Sequence, residues 1–365
     1  MSQQRRRGTG WPRLTRLHAV LGGLAVLCVL AVAAGWAMAG HGSKASLSSS
    51  SAPRGTPRPT LSGTGDSPLA TSATPQPTPL ATPTPENCTA APHLCGYPDA
   101  TNTGVPAGMQ LRQVPAQVSR GPGWYYDPRG WIEVDGKGAV LQGLSVTHTI
   151  DVSASDVTIK DVQVTQAGNN FGIDLRHTHN VTIENSDISS PYADSRRLMV
   201  GVKDVYGDST GTKVLANNIW HTATGVQIGE GLIKDNYIHS IGYRAGDHVN
   251  GVTVNGGTVP LDIRHNTVLV DLGQTDAISL FEDFGVEANK VIADNLVAGG
   301  GYSIYGGQNS GGPAAYNIRI VGNRISRLYY RHGGQFGPLA AFNSRGRGNV
   351  WSGNIWDGSE AKVGG

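Results

Sequence analysis

The densest group of residues able to do acid–base chemistry lies between positions 243 and 283. The stretch 243–254 carries Asp247 and His248, and the stretch 274–283 carries Asp276. On neighbouring strands of a parallel sheet, Asp247 and Asp276 would lie roughly 11 Å apart at Cα, which their side chains can bridge. Two carboxyls about 6.5–9.5 Å apart suit an inverting glycosidase, and His248 could act as a base or bind substrate. The pattern therefore predicts catalysis by Asp247, His248 and Asp276.

The same group could instead carry out a β-elimination on a uronic acid. That reaction needs a cation to neutralise the substrate carboxylate and a base to remove a proton from carbon. Arg244 or Lys203 could supply the cation, and His248 or Tyr243 could remove the proton. These residues leave the choice between lyase and hydrolase open.

Calcium could take the place of the cation, since hard oxygen ligands suit it. Four carboxylates are available for it: Asp247, Asp276, Glu282 and Asp283. The sequence has no contiguous calcium-loop motif, so the cofactor stays open. The residues predicted to bind substrate fall on or beside the same predicted face: Arg244, Asn250, Lys203, Gln274, Glu282 and Tyr305.

A six-residue pattern that occurs nine times supplies the elements that would position these groups. Each copy reads apolar, any, polar or small, turn-favouring, any, apolar, as in the copies that start at Ile159, Ile233 and Ile263. The period-2 alternation indicates strands, and the spacing leaves no room for crossover helices. A single copy cannot bury its apolar face, but stacked copies form a continuous core. The pattern predicts an all-β fold, a single-stranded right-handed parallel β-helix.

A second strand family lies between the copies and places its third positions in one outward column: Asp174, Lys203, Gln227, Thr253, Ser279 and Tyr305. Asp174 and Asp276 are four coils apart, about 19 Å, so Asp174 cannot be the partner of Asp276. The fourth position of the last six copies is Asn, which predicts a buried stabilising ladder: Asn218, Asn236, Asn266, Asn295, Asn323 and Asn354.

The first ninety residues have a different composition. Arginines in 1–16 precede an apolar run at 17–39, which is long enough to span a bilayer with 1–16 in the cytoplasm. Ala37-Met38-Ala39 has the form of a signal-peptidase site, so a cleaved signal peptide and a transmembrane anchor both stay open. Residues 40–90 are rich in Ser, Thr and Pro and predict a disordered linker. The β-helix domain is expected at 91–365, outside the cell.

The cysteine positions and the net charge indicate in which compartment the protein works and which partners it could bind. Cys88 and Cys95 just precede the repeats, and in an exported protein such a pair predicts a disulfide. The net charge of +2 gives no electrostatic reason to expect a nucleic-acid partner. We expect a monomer whose partner is a polysaccharide and which contacts a membrane only through an uncleaved 17–39 segment.

Two stretches resemble known families. The segment from Gly96 to Leu111, GYPDATNTGVPAGMQL, resembles the opening of exported pectate-lyase-like β-helix proteins. The repeats from Leu141 onward are similar to the right-handed β-helix repeat family, so the resemblance extends to about Gly358. It implies the fold and an exported bacterial protein. Because related folds carry lyases, polygalacturonases, tailspikes and adhesins, it does not name a reaction.

A shorter resemblance concerns the reaction. Thr275-Asp276-Ala277-Ile278 resembles the Asn-Thr-Asp-Gly stretch of polygalacturonases, which implies that Asp276 is a general acid. The Asp pair, Gly-His-Gly and Arg-x-Lys motifs of those enzymes are not found in register. Two functions therefore stay open. The first is a polysaccharide-degrading lyase or hydrolase, and the second is a non-catalytic surface module that binds a glycan or a partner.

Overall fold

The computed structural model describes residues 87–365, and their strands follow the predicted repeat. The chain winds through about nine turns of a parallel β-solenoid, which confirms the all-β parallel fold. The described helices are two short 3-10 turns, Cys88–Ala90 and Pro92–Cys95. Neither of these two helices is long and apolar enough to cross a membrane. The predicted segments 1–16 and 17–39, and most of the predicted linker, lie outside the described residues.

Three sheets form the walls of the solenoid, and each coil gives one strand to each sheet. The first sheet contains Arg112–Val114, Leu144–Val146, Gln163–Thr165, Asp187–Ser189, Asn218–Trp220, Tyr237–His239, Thr267–Val270, Leu296–Gly299, Arg324–Ser326 and Ile355–Trp356. The second sheet contains Arg120–Gly121, Trp124–Asp127, Trp131–Val134, Thr149–Val152, Phe171–Leu175, Leu198–Asp204, Thr222–Gln227, Asn250–Val254, Asp276–Leu280, Tyr302–Gly306 and Gly337–Ala340. The third sheet contains Val140–Gln142, Thr158–Lys160, Thr182–Glu184, Lys213–Leu215, Gly231–Lys234, Leu261–Arg264, Ala288–Ala293, Tyr316–Val321 and Val350–Ser352.

The core is a column of aliphatic side chains from each sheet. On the second sheet, for example, Ile173, Val202 and Val226 are register partners on consecutive strands and are fully buried. Because each coil adds another layer of apolar side chains, the hydrophobic stabilisation accumulates along the stack. The first strands of the second sheet pair antiparallel and precede the regular parallel stack.

A ladder of buried asparagines runs along the inside of one bend, and it confirms the predicted Asn column with one correction. From Asn236 to Asn354 the predicted positions are right, and each side-chain amide donates to the Oδ1 of the next Asn at 2.9 Å. In the preceding coil the ladder residue is Asn217 and not Asn218. Val214, and not Leu215, is the register partner of Ile233, so the repeat copy in this coil starts one residue earlier than predicted. Asn218 instead starts a strand of the first sheet and is half-buried.

A segment that we call the strap, residues 87–111, runs along the first sheet from the last coil to the first. At its start, the Cys88 and Thr89 amides donate to the Asp357 carboxylate at 2.9 and 3.1 Å. Further along, the Gly104 amide donates to the Ala216 carbonyl at 2.9 Å. The predicted disulfide between Cys88 and Cys95 is formed. Residues 87–90, which the sequence predicts to be part of the linker, therefore pack against the solenoid.

Candidate functional site

The outer face of the second sheet carries the predicted site and is bordered by the longest loops. The predicted outward column is confirmed in register, since Asp174 pairs with Lys203 and the series continues coil by coil to Tyr305. Asp174 is therefore four coils from Ser279, about 19 Å at the spacing of parallel strands. This distance supports the exclusion of Asp174 as a partner of Asp276.

Asp276 begins the strand Asp276–Leu280, and its side chain is only 3% exposed. Its Oδ1 accepts from the Tyr302 amide at 3.1 Å, and its Oδ2 lies 3.3 Å from Ser279 Oγ. Ser279 has one hydroxyl proton, which it donates to Asn250 Oδ1 at 2.7 Å. The longer contact with Asp276 is therefore only a weak second bond from the same hydroxyl, and it does little to stabilise a charged carboxylate.

The charge of Asp276 agrees with this hydrogen-bond arrangement. Burial raises the pKa of Asp276 to about 7, although the Tyr302 amide and the Ser279 hydroxyl act in the opposite direction. Desolvation penalises the charged form of a carboxyl, and among residues 87–365 Asp276 has no ion-pair partner that compensates for it. Near neutral pH a large fraction of the molecules therefore holds Asp276 as a neutral acid that can give up a proton.

Asp247 is bound to a cation that the sequence analysis missed. Arg197, only 2% exposed, donates from Nε to Asp247 Oδ2 at 2.7 Å and from Nη2 to Asp247 Oδ1. Its Nη1 donates to Asn169 Oδ1 at 2.7 Å, and the Arg244 amide also donates to Asp247. One buried guanidinium thus joins three loops. A catalytic role for Asp247 remains a prediction, but in this arrangement its carboxylate positions a loop.

His248 is the exposed member of the predicted group and lies next to the strand that carries Asp276. Its Nδ1 is 3.5 Å from the Oγ1 of Thr275, the residue before Asp276. Gln274 Oε1 accepts from the Val249 amide at 2.9 Å and holds the same two loops together. His248 thus lies on the coil next to Asp276 and contacts the residue that precedes it, and a shared catalytic role for the two residues stays a prediction.

The remaining residues predicted to bind substrate are spread along the face. Lys203 has no ion pair among the described residues, and burial lowers the pKa of its amine. Tyr305 packs against Phe281 with ring centroids 5.1 Å apart, and burial raises the pKa of its hydroxyl. Asn250 is the register partner of Asp276, and Arg244 is exposed. These positions suit contacts with a long ligand rather than one compact pocket.

The carboxylates proposed as calcium ligands do not come together. Within residues 87–365, no group of three or more His, Cys, Asp or Glu side chains is placed to hold a metal ion. Asp247 is occupied by Arg197, and Glu282 accepts from the Asn309 amide at 3.0 Å instead. The expectation of a calcium site built from Asp247, Asp276, Glu282 and Asp283 is therefore not supported by their positions.

Comparison with known proteins adds no assignment to this geometry. No protein-family model matches the chain, and no curated protein matches it either. The structure shows a parallel β-solenoid, and no match extends this finding to a particular family.

Proposed function

We propose that the protein binds a polysaccharide along the outer face of the second sheet and cleaves it, with Asp276 as the proton donor. The observation that carries this proposal is a buried carboxyl, at one edge of that face, whose pKa is raised by burial to about 7. A general acid works best when its pKa is near the working pH, because it is then protonated and still a good donor. The exposed His248 lies beside the same strand and is the free group for a base.

Hydrolysis fits the arrangement better than elimination. In hydrolysis the C–O bond to the leaving sugar breaks, Asp276 gives its proton to the leaving oxygen, and water adds to the anomeric carbon while His248 takes the water's proton. Elimination needs a cation at the substrate carboxylate. Lys203 is three coils from Ser279, about 14 Å, so it lies too far from Asp276 to serve there. Elimination would therefore need the exposed Arg244 of the neighbouring coil as a third group, whereas hydrolysis needs only Asp276 and His248.

The test is turnover of a panel of neutral and uronate polysaccharides, read as new reducing ends and as the ultraviolet absorbance of unsaturated products. We expect reducing ends without that absorbance. Asp276→Asn should lower the rate by about 10²–10⁴-fold, the usual contribution of a general acid. Asp262→Asn is the matched control, because Asp262 is a partly exposed partner of Arg264 on the third sheet, which is a different wall of the solenoid. Unchanged turnover in Asp276→Asn, or no turnover of any glycan by the wild type, would contradict cleavage.

A second function, glycan binding without cleavage, is favoured by one observation. Both oxygens of Asp276 and both oxygens of Asp247 already have partners within the protein. This function predicts retention on glycan arrays with no product, in the wild type and in Asp247→Ala alike.

We also propose that the domain works outside the cytoplasm, secreted or anchored at the cell surface. The support is the disulfide between Cys88 and Cys95, since structural disulfides persist mainly in oxidising compartments. A fractionation experiment with antibody against residues 87–365 tests this location, and recovery of the protein only in the cytoplasm would argue against it.

A further inference from the structure

A second polar centre lies on the outer face of the second sheet, far from Asp276. It is an open cleft of about 400 Å³ in the early coils. The residues that matter for its chemistry are Trp131, Asp151, Gln166, Asn170, Asp174 and Arg176. None of them belongs to the group around Asp276, so the cleft needs its own explanation.

One arginine bridges two carboxyls at the base of this cleft. Asp151 and Asp174 are register partners on adjacent strands, so their side chains leave the sheet side by side. Arg176 donates from Nε to Asp151 Oδ1 at 2.8 Å and from Nη2 to Asp174 Oδ2 at 2.6 Å. The bridge fixes both carboxyls relative to the sheet and leaves the remaining oxygens to face other partners.

Asp174 has one oxygen without a partner. The residue is 2% exposed, and its Oδ1 makes no hydrogen bond to the protein. Leaving a buried polar atom unsatisfied costs on the order of 1–3 kcal/mol, so such atoms usually have a partner from outside the chain. Burial and the charge of Asp151 together raise the pKa of Asp174 to about 7, against the effect of Arg176. The carboxyl can therefore accept or donate a hydrogen bond near neutral pH.

The charges of the cleft are already balanced by the protein. Arg176 is matched by its two carboxyls, and Arg129 donates to Asp127 through Nε and Nη2 at 3.0 and 2.6 Å. No cation that lines the cleft is therefore free to pair with an acidic ligand. An acidic ligand would also approach Asp151, whose charge repels it.

The rim of the cleft offers neutral groups that suit a hydroxylated ligand. Gln166 Oε1 accepts from the Ala167 amide at 2.9 Å and the exposed Asn170 donates from Nδ2 to the Ala167 carbonyl at 2.8 Å, so Gln166 offers its Nε2 as a donor and Asn170 its Oδ1 as an acceptor. Trp131 adds an indole at the edge, with the Arg129 guanidinium 4.3 Å from the ring centroid. A few converging polar groups beside an aromatic ring form a site that orients a small polar unit.

We propose that this cleft binds one uncharged sugar residue of a glycan, with the free oxygen of Asp174 and the amides of Gln166 and Asn170 hydrogen-bonding its hydroxyl groups. The proposal rests on the proposed function only in that the ligand is a glycan. It places a binding site four coils, about 19 Å, from the strand that carries Asp276, on the same face. A single extended chain can then contact both centres.

The test is affinity electrophoresis of the full chain in gels that contain either a neutral polysaccharide or a polyuronate. We expect retardation by at least one neutral polysaccharide and none by the polyuronate. Asp174→Ala should weaken that retention by about tenfold or more, the effect of losing one buried hydrogen bond to a ligand. Asp208→Asn is the control, since it also removes a carboxylate, but one that is 51% exposed and pairs with His177.

Gln166→Ala keeps the test decisive if Asp174→Ala is unstable. Its side chain lies on the rim and is not part of the arginine bridge, so the variant should fold normally and still bind less tightly. Equal retention in the wild type, Asp174→Ala and Gln166→Ala overturns the proposal, as does retention on the polyuronate alone. Retention does not require cleavage, so an inactive wild type that still binds through Asp174 contradicts the catalytic proposal and leaves this site standing.

Discussion

At the level of single residues, the neighbours Asn217 and Asn218 have opposite roles. Asn217 is fully buried, its amide donates to the Ile183 carbonyl and to Asn236 Oδ1, and its Oδ1 accepts from the Ser186 amide. Asn218 is half-buried and contacts His239 Nε2 at 3.0 Å. Sequence pattern could not separate two adjacent asparagines, because either one fits a turn position. The pairing of the flanking strands decides between them.

This difference predicts unequal effects of the same substitution. Asn217→Ala leaves the buried Ser186 amide without an acceptor, and such an orphan costs on the order of 1–3 kcal/mol. It also removes one donor each from the Ile183 carbonyl and from Asn236 Oδ1, although the latter keeps the Asn217 backbone amide. We expect a loss of about 3 kcal/mol in the free energy of unfolding and a clearly lower Tm, whereas Asn218→Ala should cost less than about 1 kcal/mol. Chemical and thermal unfolding of the two variants measures this, and a larger loss for Asn218→Ala would place the ladder one residue later.

At the level of elements, one border of the outer face of the second sheet depends on loops joined by Arg197. The loops that carry Asn169, Arg197 and Asp247 belong to different coils, and the buried guanidinium of Arg197 contacts both other residues. The sequence predicts a catalytic Asp247 because its carboxyl lies one coil from that of Asp276, a spacing that suits an inverting glycosidase. Its true partner lies 50 residues away in sequence and could not be found from spacing within the repeats.

A double-mutant cycle separates the structural role of Asp247 from a catalytic one. Asp247→Leu removes the partner of a buried cation, and we expect a loss of about 3–5 kcal/mol in the free energy of unfolding. Arg197→Met with Asp247→Leu removes both charges and should be much less destabilising than the sum of the single changes. Additive effects in thermal unfolding would show that the pair contributes little. They would restore Asp247 as a candidate for chemistry.

At the level of the whole molecule, the sequence predicts the solenoid well and its surfaces poorly. Core positions repeat with a fixed register, so Ile183 and Ile263 can be placed from pattern alone. The strap has no repeat, and its attachment to Asp357 joins residues 269 apart in the chain. The hydrogen bond from Arg176 to Asp151 cannot be predicted from the sequence either, because it depends on the side-chain conformations of residues on neighbouring coils. Contacts that recur from coil to coil can be predicted from the repeat in the sequence, whereas contacts outside the repeat cannot.

Buried ionisable groups also predict how the stability of the whole solenoid depends on pH. Burial raises the pKa of Asp174 and of Asp276 to about 7, whereas an unfolded aspartate has a pKa of about 3.9. Between about pH 4 and 7 the folded protein therefore holds more protons on these two groups than the unfolded chain, and stability falls as the pH rises. Burial lowers the pKa of His239 to about 4. The stability that the buried neutral imidazole contributes is therefore complete above about pH 6.5 and is lost as the pH falls toward 4.

Between about pH 5 and pH 8 the stability lost through the two aspartates exceeds the stability gained through His239. We therefore expect Tm to fall by several degrees over this range. Burial raises the pKa of Asp187 and Asp204 as well, which adds to the same trend. The double variant with Asp174→Asn and Asp276→Asn should show a flatter profile, because an amide does not titrate. Differential scanning calorimetry across the range measures both profiles. A Tm that rises with pH in the wild type would mean that both carboxyls are ionised in the folded protein, and the proton-donor role of Asp276 would fail with it.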